Sequence, residues 1–193
     1  MLEGLDRAGK TTQRDRLKSL DWCVPEPVFA HMPSGLTQLT EGIYRLTEDT
    51  AISSPLARQL LHLACHAENM PALTRARGAG GLILDRWWWS TVAYGWFGGR
   101  LAEVGMTETA FFGLIDAVWS QQRADMVFLF TTPYVEDALN RDDVRRGYAH
   151  LAAQYSNITV TVPATEPDEV TEFLLEHLSA AGLLLSEASD DPT

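Results

Sequence analysis

Residues Gly4 to Thr11 read G-L-D-R-A-G-K-T and fit the spacing G-x-x-x-x-G-K-[ST]. Glycines at these offsets let backbone N–H groups turn inward and cradle a phosphate. The helix expected after Gly9 offers the positive end of its dipole to the same anion. Lys10 is spaced to reach the β- and γ-phosphates, and Thr11 to set its hydroxyl on Mg²⁺. The alternative is a chance glycine turn before a helix. The well-formed helical sequence behind the motif favours the phosphate loop.

The elements around the loop alternate. Short apolar runs read as buried parallel strands at Gly81–Asp85, Met126–Thr131 and Ile158–Pro163, with a weaker one near Trp22–Val28. Helical stretches lie between them. One runs from about Gly9 to Leu20. The next starts at Ser54 as N-cap with Pro55 at the first position. Its apolar stripe is Leu56, Leu60, Leu61, Leu63, Ala64 and Ala67. A third covers Thr107 to Gln122 with Phe111, Leu114, Ile115, Val118 and Trp119, and a fourth runs from Thr132-Pro133 to Tyr155. The last spans Pro167 to Ala181, with Asp168 and Glu169 in its first turn and Gly182 as its stop. Such alternation argues an α/β fold with a parallel sheet. Only Met1, Leu2 and Glu3 precede the loop. Either the start lies upstream, or the central strand is a stub.

Composition bounds the answer. At 193 residues and 46% hydrophobic content one domain is expected, over 1–185, with a polar, disordered tail at 186–193. No stretch of ~18 apolar residues and no apolar leader is present, so neither a membrane span nor a signal peptide is expected. The formal charge of −11 argues against a nucleic-acid polymer as partner. Cys23 and Cys65 make no disulfide framework, and a reducing cytoplasm is the simplest setting.

The loop, with Asp6-Arg7 inside it and Thr12-Gln13 after it, resembles the thymidylate kinase family. Asp85-Arg86-Trp87-Trp88-Trp89-Ser90-Thr91-Val92-Ala93-Tyr94 resembles that family's D-R-Y-x-x-S-x-x-A-Y. Leu60–Pro71 and the segment from Ala124 to Arg141 resemble two further blocks in order. The resemblance implies a P-loop kinase fold of about five parallel strands with helices on both faces. It implies transfer of the ATP γ-phosphoryl group to a deoxynucleoside monophosphate, most simply dTMP, chemistry that is mostly positioning and charge neutralisation. ATP would be held by Gly4, Leu5, Asp6, Arg7, Ala8, Gly9, Lys10, Thr11, Thr12 and Arg141, with adenine near Ala164. Mg²⁺ would sit on Thr11 and, through water, on Asp85. Arg86 would pair with the acceptor phosphate, while Asp6 would sit by its 3′-hydroxyl. Trp87 and Tyr94 would line its pocket. Catalysis would fall to Arg7, Lys10 and Asp85. The lid is short, near 141–147, so transition-state charge would come from Arg7 in preference to Arg141 or Arg145. Family members are homodimers, and the helix with Phe111, Phe112 and Trp119 could serve that role.

Three departures fall at base recognition. Family members carry a phenylalanine and an arginine where this chain has His62 and His66. The two histidines share a polar helix face with Gln59 and Asn69. That face lines the acceptor pocket or is simply solvated. A metal reading of His62, Cys65, His66 and Glu68 is disfavoured, since Cys65 points away from the histidines on a helical wheel. Pro25-Glu26-Pro27-Val28 lacks the arginine of the family's R-E-P-G, for which His31, Arg45 or the 32–35 loop could substitute. Three consecutive tryptophans are not expected to all face the core, so at least one should line a pocket or an interface. A kinase for another or a 5-substituted deoxynucleotide stays open as a reading, as does a non-catalytic nucleotide-binding protein.

Overall fold

A computed structural model of the chain describes residues 1–20, 22, 26–34 and 36–183. Cys23, Pro25, Gly35 and the 186–193 tail lie outside them. Among the described residues five strands form one parallel sheet: β1 (Leu2–Gly4), β2 (Val28–His31), β3 (Leu82–Asp85), β4 (Val127–Phe130) and β5 (Thr159–Thr161). Their order is β2-β3-β1-β4-β5. The helices are α1 (Lys10–Lys18), α2 (Gln38–Asp49), α3 (Pro55–Ala79), a short α4 (Trp88–Ser90), α5 (Glu108–Trp119), α6 (Asp142–Gln154) and α7 (Pro167–Ala180). A π-helical segment at Thr91–Phe97 directly continues α4, and a 3₁₀ turn follows at Leu101–Val104.

The first strand is the stub that the sequence suggested, yet it is central. Leu2, Glu3 and Gly4 pair with Phe128, Leu129 and Phe130 of β4, and Leu2 pairs with Asp85 of β3. Two neighbours compensate for its length. Gly4 takes φ 128°, and a Cβ there would lie 2.0 Å from the Phe130 carbonyl oxygen. No other residue type fits where strand becomes loop. Period-2 alternation sends Leu2 to one face, where it packs with Leu17, Phe128, Phe130, Val162, Val170 and Leu174 beneath α1 and α7. It sends Glu3 to the opposite face, beside the tryptophans.

Among the described residues the second strand is Val28–His31, beginning just after Pro27, which has no N–H to give a ladder; residues 23–25 of the expected Trp22–Val28 run lie outside the described residues. The helix expected from Thr132 begins only at Asp142. The intervening residues give their polar groups to other partners: Asp137 Oδ1 accepts the Leu139 N–H, and Tyr134 N–H goes to the Arg7 carbonyl. Helix α2 is an addition to the expected elements; it buries Thr40 and Thr47 and leaves Leu39 and Leu46 exposed. The ends of α3 and α7 fall as expected. Ser54 accepts the Ala57 N–H at 3.2 Å. Gly182, at φ 68°, ends α7, with Leu183 N–H bonded to the Leu178 carbonyl.

The second core holds Trp87, Trp88 and Trp89, at 3%, 8% and 0% exposure, so all three reach the core against expectation, while Trp87 also lines a cavity, as expected of at least one of them. Trp87 is extended, at φ −138°, and the chain turns helical at Trp88. No single period applies, so the rings fan out. Trp87 lies edge-on to Trp119, and Trp88 and Trp89 meet Tyr155. Phe111 and Trp119 are likewise buried in this core, leaving neither for an interface with a second copy. Leu114 on the same helix faces out.

Candidate active site

Two cavities open at the C-terminal ends of the strands, where α/β folds form ligand sites. The smaller, about 330 Å³, is lined by Arg7, Ala8, Gly9, Lys10, Thr11, Thr12 and Asp85 among others. The larger, about 550 Å³, has His62, His66, Gln59, Trp87 and Tyr94 in its wall. Asp6, His31, Tyr44 and Arg86 line both. The cavities therefore meet at a junction holding a carboxylate and a guanidinium.

The glycine loop joins β1 to α1. Lys10 is 5% exposed and its ammonium donates to the Leu5 carbonyl. Burial, then the charge of Arg86, draws its pKa down to about 7, against the pull of Asp85, Asp6 and Glu3. Thr11 Oγ1 donates to Asp85 Oδ2 at 2.8 Å, and Asp85 also faces Arg14 Nη1 at 3.4 Å. Arg14 was not foreseen; one turn along α1 from Lys10, it follows from helical spacing once α1 is placed. Arg7 has a left-handed backbone at φ 58° and pairs with Asp137 at 3.0 Å, its side chain 57% exposed.

Arg86 also takes a left-handed backbone, at φ 73°, a conformation non-glycine residues avoid unless the surroundings hold them. Its guanidinium pairs with Asp6, donates to Ser90 Oγ at 2.9 Å and lies 5.4 Å from the Tyr94 ring centre. Burial opposes its charge, but nearby anionic and phenolic groups, Tyr148 foremost, then Asp6, raise its pKa. Tyr94 Oη accepts the Asp6 N–H at 3.0 Å. Burial raises the Tyr94 pKa. Asn140 grips Asp6 from both sides: Oδ1 accepts its N–H and Nδ2 donates to its carbonyl, each at 2.8 Å. An asparagine ten residues beyond β4 gave no sequence signal of this.

The polar face of α3 does line a cavity. Gln59, His66 and Asn69 are buried, whereas Leu60 is 46% exposed and Ala64 and Ala67 face solvent. The leucine stripe is therefore only partly the packed face. The helix spends its inward face on a pocket, with Leu63 and Leu73 completing the contact. His66 Nε2 meets Thr91 Oγ1 at 2.9 Å, and burial first, then His62, lowers its pKa to about 3. His62 is drawn down in the same direction by burial, then by Arg58. Gln59 Nε2, His66 Nδ1 and Trp87 Nε1 are buried without partners. The π-helical segment opposite lines the cavity with Thr91, Tyr94 and Gly95. A Cβ on Gly95 would lie 2.0 Å from Gln59 Oε1. Cys65 turns elsewhere, to the Thr40 carbonyl.

Two expected ATP contacts stand apart from the loop. Arg141 lines the larger cavity and donates to the Gly98 carbonyl. Ala164 is exposed in the β5–α7 connection and lines neither cavity. Gly4 and Leu5 are buried behind the loop and line neither. Arg45 is exposed on α2 and also lines neither, whereas His31 lines both. Among the described residues no helix is long and apolar enough to cross a membrane.

A five-stranded parallel sheet of this order, with a glycine loop between β1 and α1, is the fold of the P-loop kinases. The sequence model of the family described as thymidylate kinase matches residues 2–172. The chain belongs to the thymidylate kinase family, and it is accordingly a nucleoside monophosphate kinase. Its fold is shared with thymidylate kinase from Ehrlichia chaffeensis, at 24% identity, 92% of this chain, 96% of that one and a TM-score of 0.72. It is shared too with the Candida albicans thymidylate kinase, described as having broad substrate specificity. There the figures are 20% identity, 97% of this chain, 94% of the other and a TM-score of 0.66.

Proposed function

We infer that the chain transfers the γ-phosphoryl group of ATP to dTMP. The observation that carries this reading is the junction of the two cavities. A loop of phosphate-binding type lines one, a larger and mainly apolar cavity adjoins it, and Arg86 stands in the wall of both. A donor phosphate in the smaller cavity and an acceptor phosphate on Arg86 would face each other across Asp6, which is the positioning that phosphoryl transfer needs.

In this reading Lys10 and the first N–H groups of α1 hold the donor phosphates. Filling the loop with anion restores the full charge of Lys10, whose pKa stands low without one. Arg7, anchored by Asp137 at the rim, turns its guanidinium to the transferring group as an arginine finger supplied in cis. The Thr11 hydroxyl and Asp85 carboxylate are hard oxygen donors, of the kind Mg²⁺ takes beside phosphate oxygens and water. Bound there, the ion would neutralise phosphate charge. Asp6 orients the acceptor sugar.

The base-facing helix α3 carries His66 where the family pattern has an arginine, although Arg58 and Arg141 also stand in the cavity wall. Gln59 Nε2 and Trp87 Nε1 are neutral donors lacking partners in the cavity wall, and they suit the carbonyl oxygens of a pyrimidine dione. Thymine has that edge. So does a 5-substituted uracil, and the size of the cavity supports this as the second reading. The test is a competition assay: ATP, Mg²⁺ and an equimolar mixture of dTMP, dUMP, dCMP, dAMP and dGMP, with diphosphates read by mass. The account predicts dTDP as the main product. A purine or cytidine diphosphate as main product overturns it. The chain's single domain and its assembly as a homodimer are part of the same proposal; a single cooperative unfolding transition would read the first and sedimentation the second.

A further inference from the structure

Glu3 is a fully buried carboxylate that the reaction as described does not use. It lies on β1, immediately before the glycine loop, and β1 alternation turns it toward the turn that carries Arg86. Its Oε1 accepts the N–H groups of Trp87 at 2.6 Å and Ser90 at 3.0 Å. Its Oε2 accepts the Ser90 hydroxyl at 2.5 Å and faces Tyr148 Oη at 3.3 Å. Ser90 Oγ in turn receives Arg86 Nη1 at 2.9 Å and lies 2.8 Å from Tyr148 Oη. The Arg86 N–H itself goes to the Leu2 carbonyl at 2.9 Å. The strained residue is thus held on both sides by the three-residue strand, and its guanidinium by a relay from the same strand.

We propose that Glu3 is the positioning residue for Arg86: it locks the left-handed turn and, through Ser90, aims the guanidinium at the acceptor phosphate. The hydroxyl count makes the relay directional. Ser90 has one proton, which goes to Glu3, and two lone pairs, which accept from Arg86 and Tyr148. With a carboxylate at the far end, Arg86 has a fixed acceptor. Asp6 holds Nη2, so two carboxylates fix the fork, one directly and one at second hand. Burial raises the Glu3 pKa, and the Ser90 hydroxyl, Arg86 charge and the two N–H groups all pull it back toward the ionised form.

This inference rests on the reading of Arg86 as the acceptor-phosphate anchor. The experiment compares Glu3→Gln and Ser90→Ala with the native chain. Gln keeps the oxygen that accepts Trp87 and Ser90 N–H, so the turn is retained. Its NH₂ group, however, must point at Ser90 Oγ, which can then no longer donate to residue 3 and turns its proton to Tyr148, so that Arg86 is left on a serine with no carboxylate behind it. Ser90→Ala removes the relay and leaves Glu3 in place. Both are expected to raise the KM for dTMP about tenfold, with kcat within about threefold and the KM for ATP within about twofold, the pattern of lost acceptor binding. A residue with only a structural role would lower the Tm and leave that split unmoved. Independently of turnover, NMR should show separate, slowly exchanging Arg86 Nη protons in the native chain, averaged together in both variants. An unchanged dTMP KM together with persistent Nη signals in folded Ser90→Ala overturns the proposal. If the native chain phosphorylates no nucleoside monophosphate, the functional reading fails, and the NMR comparison alone decides the relay.

Discussion

Replacing His66 by Gln isolates one buried ionisable group. His66 is 1% exposed, its Nε2 is engaged by Thr91, its Nδ1 has no partner, and its ring lies 5.2 Å from Trp119. The folded state therefore holds it neutral, with a pKa lowered from 6.5 to about 3. The unfolded chain takes up a proton below about pH 6.5 while the folded one does not. A lowered histidine pKa means that stability is intact above 6.5 and is lost as pH falls toward 3. The slope is about 1.4 kcal/mol per pH unit, so between about pH 7.5 and pH 5.0 His66 alone removes about 2 kcal/mol. Gln has the right length to meet Thr91 and carries no titration. It loses the edge contact with Trp119, a cost of about 1 kcal/mol that does not vary with pH. Urea unfolding of both proteins without nucleotide, at several pH values across that range, gives the difference curve. The variant should start less stable at the alkaline end and gain about 2 kcal/mol relative to the native chain by pH 5.0. Parallel curves would refute the reasoning, because they would mean that His66 keeps an ordinary pKa in a hydrated site.

Lys10→Met removes a nearly buried ammonium whose pKa is already drawn down; the Tm of the nucleotide-free protein should rise by ~5 °C while turnover is lost, measured by calorimetry and by ADP release. Gly95→Ala drives a methyl group into Gln59 and should raise the dTMP KM about tenfold without changing the ATP KM, read from initial rates. Trp119→Ala opens the core where Trp87 and His66 meet it and should cost roughly 3–5 kcal/mol in urea unfolding.

The glycine-loop half of the site was legible because it is local. Gly4, Gly9, Lys10 and Thr11 stand at fixed offsets, and a backbone that must cradle a phosphate and then start a helix leaves few other spellings. Asp85-Arg86 was legible because two charges end an otherwise apolar strand. The strands buried on both faces, such as Val127–Phe130, announced themselves as unbroken apolar runs. The acceptor half was less so. Helix α3 turns Gln59 and His66 inward and leaves Leu60 exposed, reversing the usual sense of an amphipathic stripe, because a cavity takes the place of core on that side. Glu3 looked like one more charge beside a glycine. Its partners lie 84 to 145 residues away in sequence, and only the sheet brings them together. Asn140 was invisible for the same reason. All three tryptophans reach the core because the strand-to-helix switch at Trp87 lets consecutive side chains fan in directions that neither period allows, while Trp87 keeps the place in a pocket wall that the sequence implied.

The most direct test of the account is the single-turnover rate of dTDP formation with saturating ATP, Mg²⁺ and dTMP, for the native chain and for Arg7→Ala. Arg7 is exposed and its pair with Asp137 contributes little to stability, so the variant should fold and bind both nucleotides normally. The account predicts a rate lower by roughly a thousandfold or more, the contribution of an arginine acting on transition-state charge. A rate within a few-fold of the native chain, with dTDP still formed, would contradict the assignment of that charge to Arg7. No dTDP from either protein would contradict the proposed reaction itself.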